Sequence, residues 1–116
     1  GMRQAGILAA AGLVALDTMV ERLADDHANA RRLAVGLAEI DGLDVDPEGI
    51  QSNIVIFVVS KDLGPAAKLI AGLAEKGVKV SSPGPQAIRM VTHREITGGD
   101  VGETLVRVSA AVRELR

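Results

Sequence analysis

The run from Met2 to Leu16, MRQAGILAAAGLVAL, has the composition of a strong helix former, yet its apolar residues cover every side of the helix instead of one stripe. A helix of that kind must be covered all round. It is far short of the roughly 20 apolar residues that cross a bilayer. With no residue ahead of Gly1 to cover it, the expectation is that this chain works as part of something larger.

The remaining composition narrows the function classes without choosing one. A chain of 116 residues is expected to form one domain with a real but modest core. Phe57 is the only aromatic residue and the formal net charge is −2. Base stacking and a basic phosphate-binding face are therefore not expected, and no nucleic-acid or membrane partner is implied. With no cysteine, disulfide frameworks, thiolate catalysis and cysteine-based zinc sites are excluded, which fits a cytoplasmic protein. No convincing signal-peptide cleavage site follows the first apolar stretch.

A second helix is expected after a cap at Asp17 or Thr18. Its apolar face is Val20, Leu23, His27, Ala30, Ala34 and Leu37, and Arg22, Asp25, Asp26, Asn29, Arg31 and Arg32 occupy most of the remainder. Asp41 and Gly42 end it, a short strand from Leu43 to Val45 follows, and Pro47 and Gly49 mark a loop. Ile54 to Val59 is a continuous, mostly β-branched run that predicts a central strand covered on both faces or nearly so. Gly64-Pro65 opens a helix, with proline at its first position, that carries Ala66, Leu69, Ile70 and Leu73 and stops at Gly77. Val78 to Val80 reads as short and extended, Ser81 to Pro85 as a loop, and Ala87 to Thr92 as a strand. Thr97 and Asp100 form a capping-box pattern before a last helix that presents Val101, Leu105, Val108, Val112 and Leu115. The expected fold is α+β, a small antiparallel or mixed sheet with helices packed on it, preceded by a long helical segment. Residues 1–116 form one unit, divided into a helical arm at 1–40 and a compact part at 41–116.

Few residues here can carry chemistry. The phosphate-loop, dinucleotide, zinc-protease and serine-elbow motifs are all missing. His27 has no second histidine at helical spacing, and successive residues of a helix point about 100° apart, so Asp25, Asp26 and His27 do not readily share one metal. It reads as a packed or interfacial residue, and no metal site is expected. Lys61, Lys68, Lys76 and Lys79 read as solvated. Arg89 is different, because strand alternation places it between Ala87 and Val91, an apolar setting for a permanent charge. Its planar fork suits a two-pronged grip on a carboxylate. Two readings stay open: a structural ion pair with a local Asp or Glu, or an anchor for a ligand. Thr92-His93-Arg94-Glu95 lies at the strand end, where sites are common and polar turns equally so.

Four segments taken in order, GMRQAGILAAAGL, ERLADDHANARRLA, the strand beginning Asn53-Ile54-Val55, and IRMVTHRE, resemble the C-terminal part of the low-specificity L-threonine aldolases. Those are pyridoxal-phosphate enzymes of the aspartate-aminotransferase fold type. The resemblance covers essentially the whole chain, least of all residues 41–52. It implies the small C-terminal domain of an enzyme that cleaves threonine or allo-threonine to glycine and acetaldehyde. In the family the Schiff-base lysine and the residues that hold the pyridine ring come from the large domain, so this chain is expected to hold no catalytic residue, to bind no cofactor alone and to be inactive alone. Arg89 matches the family's arginine for the substrate α-carboxylate. Arg3 matches an arginine near the cofactor. The implied partners are the large pyridoxal-phosphate domain and a second copy, with the isolated chain pairing through Met2 to Leu16. The alternative from a different class is a stand-alone amino-acid-binding or oligomerisation module without catalysis.

Overall fold

The computed structural model describes all 116 residues. Helix α1 spans Ala5–Thr18 and α2 spans Leu23–Ala38; strand β1 (Leu43–Asp44), strand β2 (Ile54–Val59), helix α3 (Ala66–Glu75), strands β3 (Ser81–Gly84) and β4 (Ala87–Val91), and helix α4 (Gly98–Glu114) follow. Short 3-10 turns at Pro47–Gly49 and Lys61–Leu63 bracket β2. The four strands form one sheet in the order β1-β2-β4-β3, with every pair antiparallel. The α+β expectation therefore holds; Val78–Val80, read as short and extended, lies outside the sheet, and the third strand is Ser81–Gly84 instead.

Pairing of β2 with β4 sets Ile54 opposite Val91, Ile56 opposite Arg89 and Val58 opposite Ala87. The intervening residues Val55, Phe57, Val59, Ile88 and Met90 point the other way and are buried. Helices α2 and α3 pack on the sheet, and α4 packs against both. β2 is internal to the sheet, as its sequence suggests, but it is not covered on both faces. Its residues alternate, leaving Ile54, Ile56 and Val58 42%, 50% and 45% exposed. A β-branched run reports strand propensity on both faces alike; helices on one side only leave the other open.

Helix α2 enters the core through Asp26, Ala30, Leu33, Ala34 and Leu37. The expected face is thus correct at its C-terminal half and turned at its start. Val20, Leu23 and His27 are exposed, whereas Asp26 and Leu33 are buried. The cause is Asp26, whose carboxylate accepts two hydrogen bonds from the Arg22 guanidinium at 2.7 and 3.1 Å, so an acidic residue can occupy a core-facing position. α2, grouped by sequence with the arm, supplies part of the main core cluster. Neither Asp17 nor Thr18 caps it, because α1 continues through Thr18 and Arg22 holds the cap position without a capping side-chain bond.

Other local expectations meet small corrections. Pro65 is the cap of α3 and not its first residue. Gly77, at φ 76°, stops that helix where an L side chain is disfavoured. Ser81 to Gly84, read as loop, is an edge strand, and Pro83 is tolerated because an edge strand leaves alternate N–H groups unpaired. The capping box of α4 is formed in full: Thr97 accepts from the Asp100 N–H, and the Asp100 carboxylate accepts from the Thr97 N–H at 2.8 Å and from its hydroxyl. These bonds hold the Asp100 carboxyl below its ordinary pKa.

No residue of α1 is buried. The helix projects from the packed body, which makes the molecule 53 × 28 × 24 Å with a radius of gyration of 16.7 Å, against about 13 Å for a compact chain of this length.

Where α2 crosses α4, a Cβ on Gly36 would stand 2.3 Å from the Leu105 Cδ1. Gly36→Val is therefore expected to cost about 1–3 kcal/mol of stability through overpacking. Gly102 in α4 has nothing within 4 Å of a Cβ, so Gly102→Ala is expected to add about 0.5–1 kcal/mol through helix propensity. Urea unfolding of both variants, with opposite shifts in midpoint, checks this packing.

Candidate functional site at the open sheet face

The uncovered face of the sheet carries Asp44 from β1, Ile54, Ile56 and Val58 from β2, Ala87, Arg89 and Val91 from β4, and Ser81 from β3. Val91 is 45% exposed, like its β2 neighbours. Arg89 is the only cation among them. It stands between its cross-strand partners Ile56 and Ser81, and its Nε donates to the Ser81 Oγ at 3.1 Å. None of the chain's five ion pairs includes it. The reading of Arg89 as half of a local ion pair is therefore overturned: the nearest cross-strand neighbours are a leucine isomer and a serine, and no carboxylate lies within 4 Å.

The end of β4 is tied down from three sides. The Thr92 hydroxyl, buried, donates to the Asp26 carbonyl at 2.7 Å. The Thr92 N–H donates to the Asn53 carbonyl at 2.9 Å, and the Asn53 Nδ2 returns a bond to the Thr92 carbonyl at 2.7 Å. The Asn29 Nδ2 donates to the Ile96 carbonyl at 2.9 Å. These bonds join the start of β2, the end of β4 and the first turns of α2, so the strand bearing Arg89 has a firm end. His93 lies beyond it in an exposed turn, where its Nδ1 accepts from the Glu95 N–H at 3.3 Å.

The structure does not bring the other singled-out residues to this face. Arg3 is exposed in the turn ahead of α1 and makes no hydrogen bond or ion pair, next to Gln4, the one non-glycine residue in the left-handed region, at φ 54°. His27 is exposed on α2, not packed. No group of three or more His, Asp or Glu side chains converges as a metal site, and no helix is long and apolar enough to cross a membrane. A second concavity of about 390 Å³ lies where Val78–Val80 passes the end of β4 and the first turns of α4. It mixes Asp100, Glu103 and Glu95 with Arg107, Lys79 and His93, and Arg107 is already engaged with the Lys76 carbonyl at 2.8 Å. Ser81 and the Asp26–Thr92 bond escaped the sequence reading. The proline on an edge strand was the available signal for the first; the second joins residues far apart in the chain and leaves no local mark.

Residues 1–60 match the family described as Beta-eliminating lyase. The chain belongs to that family. It is 39% identical over 107 residues to the low-specificity L-threonine aldolase 1 of Arabidopsis thaliana, and 36% identical over 103 residues to the low specificity L-threonine aldolase of Escherichia coli strain K12. These matches take in 90% and 89% of this chain but only 30% and 29% of the relatives, in their C-terminal portion. Among solved structures, the cystine C-S lyase C-DES aligns with a TM-score of 0.73 at 21% identity, covering 90% of this chain and 28% of that one. An ornithine aminotransferase from Plasmodium yoelii aligns at 0.64 and 17%, covering 83% and 26%. At such identities the agreement is one of fold, the C-terminal portion of pyridoxal-phosphate enzymes of the same fold type.

One solved relative is a C-DES mutant with glycine covalently linked to its PLP cofactor. Lys61, Lys68 and Lys79 are exposed, Lys76 pairs with Glu114 at 2.8 Å, and none lies in a strand. A lysine poised to attack a carbonyl needs desolvation or a neighbouring cation to lose its proton.

Because Arg89 holds no structural partner but a hydroxyl, Arg89→Lys and Arg89→Gln are expected to shift the unfolding free energy of the chain by less than about 0.5 kcal/mol. Denaturant titration followed by circular dichroism checks it; a loss of about 2 kcal/mol or more would mark a structural ion pair instead.

Proposed function

We propose that this chain is the carboxylate-binding C-terminal portion of a pyridoxal-phosphate-dependent threonine aldolase, which cleaves threonine or allo-threonine to glycine and acetaldehyde, and that it is inactive by itself. The observation that carries this reading is Arg89, a guanidinium on an open, largely apolar sheet face that is bonded to one hydroxyl and has no carboxylate within ion-pair distance. A permanent charge among Ile54, Ile56, Val58 and Val91 calls for an anion from outside, and an amino acid's α-carboxylate matches its fork. Its identity to threonine aldolases over nine-tenths of its length supports the choice of substrate class.

The pyridoxal phosphate, held by a domain outside this chain, supplies the electron sink for carbon-carbon cleavage. Arg89 orients. Two hydrogen bonds to the α-carboxylate fix the amino acid about its Cα, so the bond to be broken is presented in one direction. Once the open face is covered in the holoenzyme, the apolar neighbours exclude competing water from the ion pair and strengthen it. In the holoenzyme, Arg89→Lys is expected to raise the KM for threonine about 10- to 100-fold, since an ammonium cannot grip with two parallel bonds. Steady-state kinetics check this, and an unchanged KM would remove Arg89 from the substrate site.

The same reading gives α1 a partner. Its exposed Ile7, Leu8, Leu13, Val14 and Leu16 are each at least 60% accessible, a surface expected to meet either the large domain or a second copy. The isolated chain self-associates through this helix. Sedimentation velocity at tens of micromolar is expected to show a dimer or larger species, returned to monomer by Leu8→Lys with Leu13→Lys; a monomeric wild type at that concentration would count against it.

A further inference from the structure

We infer that Ser81 is a positioning residue for Arg89, setting which edge of the guanidinium meets a carboxylate. This rests on the reading of Arg89 as the carboxylate anchor. A guanidinium offers a carboxylate two kinds of paired contact: side-on, through Nε and one Nη, or end-on, through both Nη groups. The Nε–H of Arg89 is already donated to the Ser81 Oγ at 3.1 Å. That bond takes the side-on edge out of use and leaves the end-on edge free.

The bond is a consequence of register. Ser81 is the cross-strand partner of Arg89 on β3, and Ile56 is its partner on β2. The arginine stem therefore runs between an aliphatic neighbour on one side and a hydroxyl on the other. Ile56 offers no acceptor, so the hydroxyl alone decides how the plane turns about the last torsion of the side chain. The β3–β4 pairing becomes irregular between Ser81 and Gly84, but the pair at Ser81 and Arg89 is in register. An exposed arginine would otherwise sample many rotamers, whose loss on binding opposes affinity. Pre-orienting the plane reduces that loss and appears in KM more than in kcat.

Two measurements test this separately from the anchor reading. In the chain labelled with 15N-arginine, the Arg89 Nε–H signal, assigned by its disappearance in Arg89→Lys, is expected to exchange with water about five- to tenfold more slowly than that of unbonded Arg3. Ser81→Ala is expected to abolish the difference and Ser81→Thr, which keeps the hydroxyl, to retain it. Equal exchange in wild type and Ser81→Ala would overturn the inference whatever Arg89 binds. In the holoenzyme, Ser81→Ala is expected to raise the KM for threonine about three- to tenfold with kcat within about twofold, and Ser81→Thr to restore it. A KM unchanged by Ser81→Ala but raised by Arg89→Lys sinks the role of Ser81 and spares the anchor; a KM indifferent to Arg89→Lys sinks the anchor itself.

Discussion

The antiparallel pairing of β2 with β4 decides two surfaces at once, because alternate residues on each strand must point to opposite sides of the sheet. Val55, Phe57, Val59, Ile88 and Met90 go under α2 and α3, and their burial drives the sheet to form. The same alternation leaves Ile54, Ile56, Val58 and Val91 outward, with Arg89 in their midst. A slip of β4 by one residue would bury the guanidinium and expose Ile88 and Met90. The core and the candidate site are therefore two sides of one pairing, and neither can change without the other.

Apolar surface that a domain of this size leaves uncovered needs a reason. Here it is concentrated along α1 and across the open sheet face, with single residues such as Val35 and Val106 elsewhere, while no buried side-chain donor or acceptor is left without a partner. A badly packed chain would show voids and orphaned polar groups throughout. This chain spans about 30% of the length of the aldolases it matches.

Charge is handled differently on the two sides of the sheet. Asp26, buried beneath the end of β4, is neutralised at once by Arg22 one helical turn away, and its backbone carbonyl is used by Thr92. Arg89, on the open side, is met only by a hydroxyl. The first arrangement closes a network and stabilises the fold; the second leaves a valence unfilled. That contrast, more than the presence of an arginine, separates a structural charge from one available to a ligand.

Much of the fold was legible because it depends on neighbours in sequence. The β-branched run of β2, the Thr97–Asp100 capping box, the stop at Gly77 and the placement of Arg89 between Ala87 and Val91 all follow from local geometry and the strand period, and the aldolase resemblance from the spelling of four segments. Tertiary structure decided the rest. Which face of β2 is covered depends on where the helices dock, the turn of α2 toward Asp26 and Leu33 depends on an ion pair that makes a carboxylate tolerable in the core, and the strand at Ser81 exists because β4 offers it an edge. Periodicity tells which side chains share a face; only contacts between residues distant in the chain tell whether that face meets helix, solvent or another charge.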